Sequence, residues 1–145
     1  MCNFKNIMLV DDDEDDRFVF KNVVNEIFPD IIFNDFSNAD EFISFLHFEN
    51  FMLPELLFLD INMPVKNGFQ VLKSIKKDER LKVIPVVMFS TSSLKEDMEI
   101  ARKLGADGYA VKPASFEGLE SILKIAFQNF VYSVNPPKNI IILHD

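Results

Sequence analysis

Four short apolar runs in this chain each stop at a side chain that can do chemistry. Ile7–Val10 stops at Asp11 and Asp12, Leu56–Leu59 at Asp60, Val86–Phe89 at Ser90, and Tyr109–Val111 at Lys112. Runs this short and this uniformly apolar suit strands covered on both faces, as in a parallel sheet. Between them the apolar residues change to helical spacing: Phe20, Val23, Val24, Ile27 and Phe28, then Phe42, Ile43, Phe45 and Leu46 behind Ser37 as N-cap, then Phe69, Val71, Leu72 and Ile75. A fourth helical stretch runs from Ser93 through Leu104 to Gly105 as its C′ residue, and a fifth carries Phe116, Leu119, Leu123, Ala126 and Phe130. With Ile31–Phe36 as a further strand, five β-then-α units follow one another. That order predicts an α/β fold with helices on both faces of one parallel sheet. The polar run ends then emerge together at one edge of the sheet, where open α/β sheets bind their ligands.

Composition narrows what such an edge serves. The 145 residues are enough for one domain with a real core, and a net charge of −8 argues against a nucleic-acid partner, whose phosphates need neutralising. No apolar run approaches the roughly 18 residues of a membrane span. The single Cys2 cannot form an internal disulfide, which suits a reducing cytoplasm. The start Met1-Cys2-Asn3-Phe4-Lys5 leads straight into a strand and does not read as a signal peptide. Sixteen Phe and no Trp read as core filling.

The stretch Asp11 to Asp16 admits three readings. A solvated acidic cap on the first helix suits the helix dipole and accounts for Asp13 through Asp16. It does not account for acid placed directly at a buried strand end. A calcium loop would use the alternation of Asp11, Asp13 and Asp15, but it requires glycine at position 16 and glutamate at position 22, where the chain has Asp16 and Asn22. A magnesium site formed by Asp12 and Asp60, with Asp11 helping directly or through water, fits the placement. Carboxylates brought close repel each other unless a cation lies among them, and Mg2+ takes few carboxylates and keeps several waters.

Asp60 is then the natural nucleophile, since a carboxylate can attack phosphorus and carry an acyl phosphate. Lys112 would offer a point charge to the phosphoryl oxygens, and Ser90 a hydrogen bond. Singly, a lysine at a strand end is a solvated charge more often than not, and a serine there a turn residue. The inference comes from all four landing on one edge.

These residues resemble a known family. Asp11-Asp12 after the first strand, Asp60-Ile61-Asn62-Met63-Pro64-Val65-Lys66-Asn67-Gly68, Ser90-Thr91 after the fourth strand and Lys112-Pro113 after the fifth are similar to the receiver domain of two-component response regulators, from about Lys5 to Val131. The resemblance implies a flavodoxin-like (βα)5 doubly wound parallel sheet of order 2-1-3-4-5 over residues 5–131, with 132–145 as a C-terminal tail forming an extra strand or contact segment. It implies a phosphoacceptor switch, not an enzyme, with at most slow self-dephosphorylation. Asp60 would receive its phosphoryl group from a histidine kinase or phosphotransfer protein. Mg2+ would be held by Asp12 and Asp60, by the backbone carbonyl of Asn62, and by Asp11 through water. Lys112 and Ser90 would contact the phosphoryl group, and Ser90 and Tyr109 would form the switch. Pro64, Gly68 and Pro113 would be structural: Gly68 relaxes the backbone after the loop, and the Lys112–Pro113 bond is usually cis in the family, X–Pro being where that isomer is cheapest.

In the implied switch, phosphoryl oxygens draw Ser90 inward and Tyr109 rotates from solvent into the space. The face of the fourth helix, fifth strand and fifth helix changes shape for a downstream effector protein. The chain would be cytoplasmic, a monomer or homodimer, with no nucleic-acid or membrane partner.

Three departures from the family pattern stand out. Thr91 is larger than usual and narrows access to Asp60. The segment His47–Pro54, with Phe48, Phe51, Met52 and Leu53, reads as a lid over the core or an apolar contact patch. Ala114-Ser115 follows Pro113 where an apolar residue is common. Two other functions compete. A phosphatase of the haloacid-dehalogenase type shares Asp, Ser, Lys and magnesium, but needs Asp-x-Asp-x-Thr/Val after the first strand, and the chain reads Asp11, Asp13, Asp15. A pseudo-receiver scaffold is disfavoured by intact Asp12, Asp60 and Lys112. The run Ile140–Leu143 is expected to pair with a sheet edge or to pack on a neighbouring subunit.

Overall fold

The computed structural model describes residues 5–48, 52–133, 135 and 137–144. The strands are β1 (Asn6–Val10), β2 (Ile32–Phe36), β3 (Leu56–Asp60), β4 (Val86–Ser90), β5 (Gly108–Val111) and β6 (Ile141–Leu143). The helices are α1 (Glu14–Ile27), α2 (Ala39–Phe48), α3 (Gly68–Lys77), α4 (Lys95–Lys103) and α5 (Phe116–Phe130), with a 3-10 turn at Leu81–Val83. All six strands are parallel, in the order β2-β1-β3-β4-β5-β6. The flavodoxin-like arrangement is thus as expected, extended by one strand from the tail. Ile141–Leu143 pairs with β5 of its own chain, Tyr109 opposite Ile142 and Ala110 opposite Leu143.

Strand alternation sorts the apolar side chains into two cores. Met8, Val10, Leu57, Leu59, Val86, Met88 and Tyr109 face α2, α3 and α4, meeting Phe42, Leu46, Val71, Leu72, Ile75 and Ala101. Ile7, Leu9, Leu56, Phe58, Val87, Phe89 and Ala110 face α1 and α5, meeting Phe20, Val23, Leu119, Ile122, Ala126 and Phe127. With helices on both sides, β1, β3 and β4 are buried throughout and apolar except at Asn6, Asp60 and Ser90. Phe20, Phe36, Phe42, Phe58, Phe89 and Phe127 fill this interior as expected, whereas Phe18 and Phe116 are exposed; Phe20 sits 5.0 Å from Phe58 and 5.6 Å from Phe89, edge to face.

Helix ends correct two local expectations and give a third residue a role. The α2 cap is Asn38, not Ser37: Asn38 Oδ1 accepts from the Glu41 amide, and the Glu41 carboxylate accepts from the Ser37 amide. Helix α4 begins at Lys95, because Ser92 is committed to the preceding loop, where its hydroxyl accepts from the Leu94 amide and donates to Asp97. Ser115, noted as a departure, caps α5 by accepting from the Gly118 amide. Gly105 ends α4 as expected, at φ 93°, with the Gly105 amide donating to Arg102 O and the Ala106 amide to Ala101 O.

The segment before β3 lies at the amino-terminal end of the sheet, away from the polar run ends. The Asn6 side-chain amide donates to Met52 O, and the Glu55 amide to Asn6 O. Leu53 packs on the α2–α4 core while Met52 is exposed. Phe51 and the side chain of Phe48 lie outside the described residues, as do Cys2, Val134, Pro136 and Asp145.

Candidate functional site

At the carboxyl edge β1 delivers Asp11 and Asp12, β3 delivers Asp60, β4 delivers Ser90, and the residue after β5 is Lys112. The structure brings the three carboxylates together: one oxygen from each of Asp11, Asp12 and Asp60 lies within 4.8 Å of the others. Asp11 and Asp60 are buried and Asp12 is exposed, so the group opens to solvent on the Asp12 side. Lys112 Nζ reaches in from the β5 side to 3.0 Å from Asp11 Oδ2 and 3.4 Å from Asp60 Oδ1. Its backbone is anchored by the Lys112 amide donating to Ser90 O, and Nζ stands 5.3 Å from the centre of the Phe89 ring.

Each group is held by its neighbours. Asp11 Oδ1 accepts from the Asp13 amide, and the Asp11 carbonyl accepts from Arg17, which also pairs with Asp35 at 3.2 Å. Ser90 is buried, and its hydroxyl oxygen accepts from the Ser92 amide at 3.1 Å. Tyr109 is fully buried and donates to Ser92 O at 2.9 Å, so in this structure the ring occupies the interior. The loop Ser90–Leu94 is therefore tied to the strand on one side and to α4 through Asp97 on the other.

The loop after Asp60 is shaped by two residues. Gly68 opens α3, and an added Cβ there would lie 2.2 Å from Asp60 O and 2.8 Å from Ile61 Cα. The expected reason, backbone freedom, is thus corrected: the position excludes a side chain because α3 starts in contact with the β3 backbone. Left-handed geometry falls on Val65 instead, at φ 68° with its side chain in solvent. Asn62 is exposed in the loop that leaves Asp60, following Ile61, whose carbonyl accepts from the Met63 and Gly68 amides. Met63 is buried and Pro64 exposed at the outer turn. Lys112–Pro113 is trans, as is every peptide bond of the described residues, contrary to the family expectation. The small intrinsic preference of an X–Pro bond leaves the isomer to its surroundings.

Electrostatics follow from this crowding. Burial pushes the Asp60 carboxyl up to about 7; the charge of Asp11 and the hydrogen bond and charge of Asp12 add to the rise, while Lys112 opposes it. Burial also raises Asp11, against its bond from the Asp13 amide and the charge of Lys112. For Lys112, burial disfavours the ammonium, but bonds and charges from Asp16, Asp11 and Asp60 outweigh it and hold the group above the ordinary lysine range. One ammonium against this many carboxylates leaves the pocket short of positive charge. An all-oxygen donor set of three carboxylates, open on one side, fits a hard divalent cation that retains water, and Asp11, Asp12 and Asp60 could hold it.

Sequence reasoning missed Asp16. It was placed in the solvated acidic cap with Asp13, Glu14 and Asp15, yet Asp16 Oδ2 lies 2.8 Å from Lys112 Nζ, the shortest of the lysine's three contacts. Asp13 is the cap itself, accepting from the Asp16 amide at 2.9 Å. That places Asp16 in the first turn of α1, the one signal that could have aimed it at the strand ends.

Comparison with known proteins bears on this arrangement. Residues 7–124 match the response regulator receiver domain. Chemotaxis protein CheY of Pseudomonas aeruginosa is 31% identical over 125 residues, covering 84% of this chain and 95% of that protein. A probable methanogenesis regulatory protein, FilR2, of Methanothrix harundinacea is 41% identical over 68 residues, 47% of this chain and 44% of that protein, so the chain spans under half of that relative. Among solved structures, the phosphorylated cyanobacterial phytochrome response regulator RcpA aligns with TM-score 0.82 and 29% identity, covering 93% of this chain and 99% of that one. The Mn2+-bound response regulator Rcp1 aligns with TM-score 0.77 and 28% identity, covering 92% and 99%.

Proposed function

The chain belongs to the response regulator receiver domain family, and on that premise we propose that Asp60 is its phosphoacceptor and that Asp11, Asp12 and Asp60 hold the Mg2+ the reaction needs. Its role is that of a phosphoacceptor in two-component signalling, and the family acts as a signalling switch. The observation that carries the assignment to Asp60 is the convergence of two further carboxylates and Lys112 on it, at the open end of a parallel sheet.

An Asp60 oxygen attacks phosphorus in the donor, a phosphohistidine of a kinase or phosphotransfer protein. The P–N bond breaks, the imidazole leaves as the proton-bearing ring, and an acyl phosphate remains on Asp60. Bound Mg2+ would neutralise charge on the transferring oxygens and so lower the barrier. The chain's own residues do the rest. Lys112, anchored at Ser90 O, presents its ammonium to the same oxygens, and Ser90 donates a hydrogen bond to one of them; the Asn62 carbonyl would supply the cation a further oxygen, and Asp11 would act through water. With Ser90 drawn toward the phosphoryl group, its bond with the Ser92 amide is lost. The Ser92 carbonyl that receives Tyr109 and the hydroxyl that holds Asp97 then move with it. An effector protein reads the resulting face of α4, β5 and α5. The working unit is residues 5–131, with 132–145 as a tail whose strand β6 extends the sheet beyond β5, acting in the cytoplasm as a monomer or homodimer. No helix of the described residues is long and apolar enough to cross a membrane.

The test is labelling by acetyl phosphate with Mg2+, followed by phosphopeptide mapping. A single hydroxylamine-labile label on the peptide containing Asp60, absent in Asp60→Asn, is the expected result. Full labelling of Asp60→Asn, or steady turnover of small phosphate esters without a retained label, would overturn the assignment.

A further inference from the structure

We infer that Asp16 is a positioning residue for metal binding: it takes up the Lys112 ammonium so that Asp11 and Asp60 can release it when a divalent cation enters. The inference rests on the phosphoacceptor reading for the identity of the pocket. Lys112 Nζ lies 2.8 Å from Asp16 Oδ2, 3.0 Å from Asp11 Oδ2 and 3.4 Å from Asp60 Oδ1. Its shortest contact is thus with a carboxylate that is not one of the three clustered around the cation site. The Asp16 side chain is 44% exposed, against 0% and 5% for Asp11 and Asp60. It forms the outer end of a row whose inner end is the cation site.

A cation among Asp11, Asp12 and Asp60 meets an ammonium within bonding distance of two of its own ligands. Like charges this close repel steeply where water is scarce. The ammonium cannot simply move into solvent, because the Lys112 side chain is 13% exposed, its amide is fixed to Ser90 O, and its end lies over the Phe89 ring. Asp16 supplies an anionic partner on the outer side. It stands in the first turn of a helix whose cap, Asp13, is bonded to the Asp16 amide, so its carboxylate does not need to travel. Without Asp16, the ammonium keeps only Asp11 and Asp60 among its carboxylate partners in the described residues, and it competes with the cation for both.

The experiment is a double-mutant cycle read by calorimetric titration of the full chain with Mg2+ alone. Asp16→Asn is expected to raise the Mg2+ Kd about fivefold, the scale of one partly exposed ion pair, and Asp16→Glu to restore it to within about twofold. Glu14→Gln, which removes the same charge from an exposed neighbour, is the control for the general field. In a Lys112→Met background, Asp16→Asn is expected to leave the Kd nearly unchanged, because no ammonium remains to be held. An unchanged Kd in Asp16→Asn overturns the inference, as does the same loss in the Lys112→Met background or in Glu14→Gln. Those outcomes leave the phosphoacceptor reading intact, whereas a wild-type chain that binds no Mg2+ removes both.

Discussion

The Cβ that Gly68 lacks would sit 2.2 Å from the carbonyl oxygen of Asp60. No rotamer relieves such an approach, since both sides are backbone. Gly68→Ala is expected to push α3 away from β3 and cost about 3 kcal/mol, with phosphoryl labelling slowed because the Asp60 backbone shifts with it. Urea unfolding and the initial labelling rate check both parts. A variant of wild-type stability would contradict the close contact.

Val65 presents the opposite case, a β-branched residue at φ 68° whose side chain touches mainly water. Left-handed backbone costs such a residue about 1–2 kcal/mol, and asparagine accepts it readily. Val65→Asn should therefore stabilise the chain by about 1 kcal/mol, read as a higher urea midpoint at constant slope. A lower midpoint would mean that the valine is held for a reason other than packing.

The raised Asp60 carboxyl has a signed consequence for stability. In the folded chain it holds its proton to about pH 7, while the unfolded chain releases it near the ordinary 3.8. Between these values the folded state binds more protons, so this contribution to stability declines as pH rises toward 7 and is gone above it. Removing the charge with Asp60→Asn should leave stability at pH 4 near wild type and raise it at pH 8, without metal, by an amount on the order of 2 kcal/mol. Excess Mg2+ should narrow the gap at pH 8 by stabilising only the wild type. Melting curves at both pH values, with and without Mg2+, test the sign; a variant less stable at pH 8 would refute it.

Leu143 is buried at 3% exposure among the residues facing α1 and α5, and its strand pairs along β5. Leu143→Ala should cost about 2 kcal/mol, the low end for a buried leucine because a three-residue edge strand can adjust. The same substitution at exposed Ile142 should cost much less. Equal effects at the two positions in thermal unfolding would mean that β6 does not stay docked in solution.

Much of this was legible in the sequence, for identifiable reasons. The strands ending at Asp11, Asp60 and Ser90 are apolar on both faces, so neither their type nor their polar ends were ambiguous. Their order of pairing came only with the family resemblance. Ser37 and Asn38 are adjacent residues of equal capping strength, and nothing local chooses between them. The run Ile140–Leu143 read as a strand, but its partner depends on where α5 returns the chain, a non-local fact. Asp16 was hidden by its neighbours, since a carboxylate inside an acidic run looks solvated until Lys112 is placed opposite it. The inward ring of Tyr109 was equally unreadable, because an amphipathic tyrosine suits either position and the Ser92 carbonyl decides.

Strand β6 has one more effect. It converts β5 from a border into an interior strand and leaves only three residues, Ile141 to Leu143, as the new border on that flank. A foreign segment trying to lengthen the sheet there would find too few rungs to grip, so the brevity of this strand works against uncontrolled self-assembly on that side.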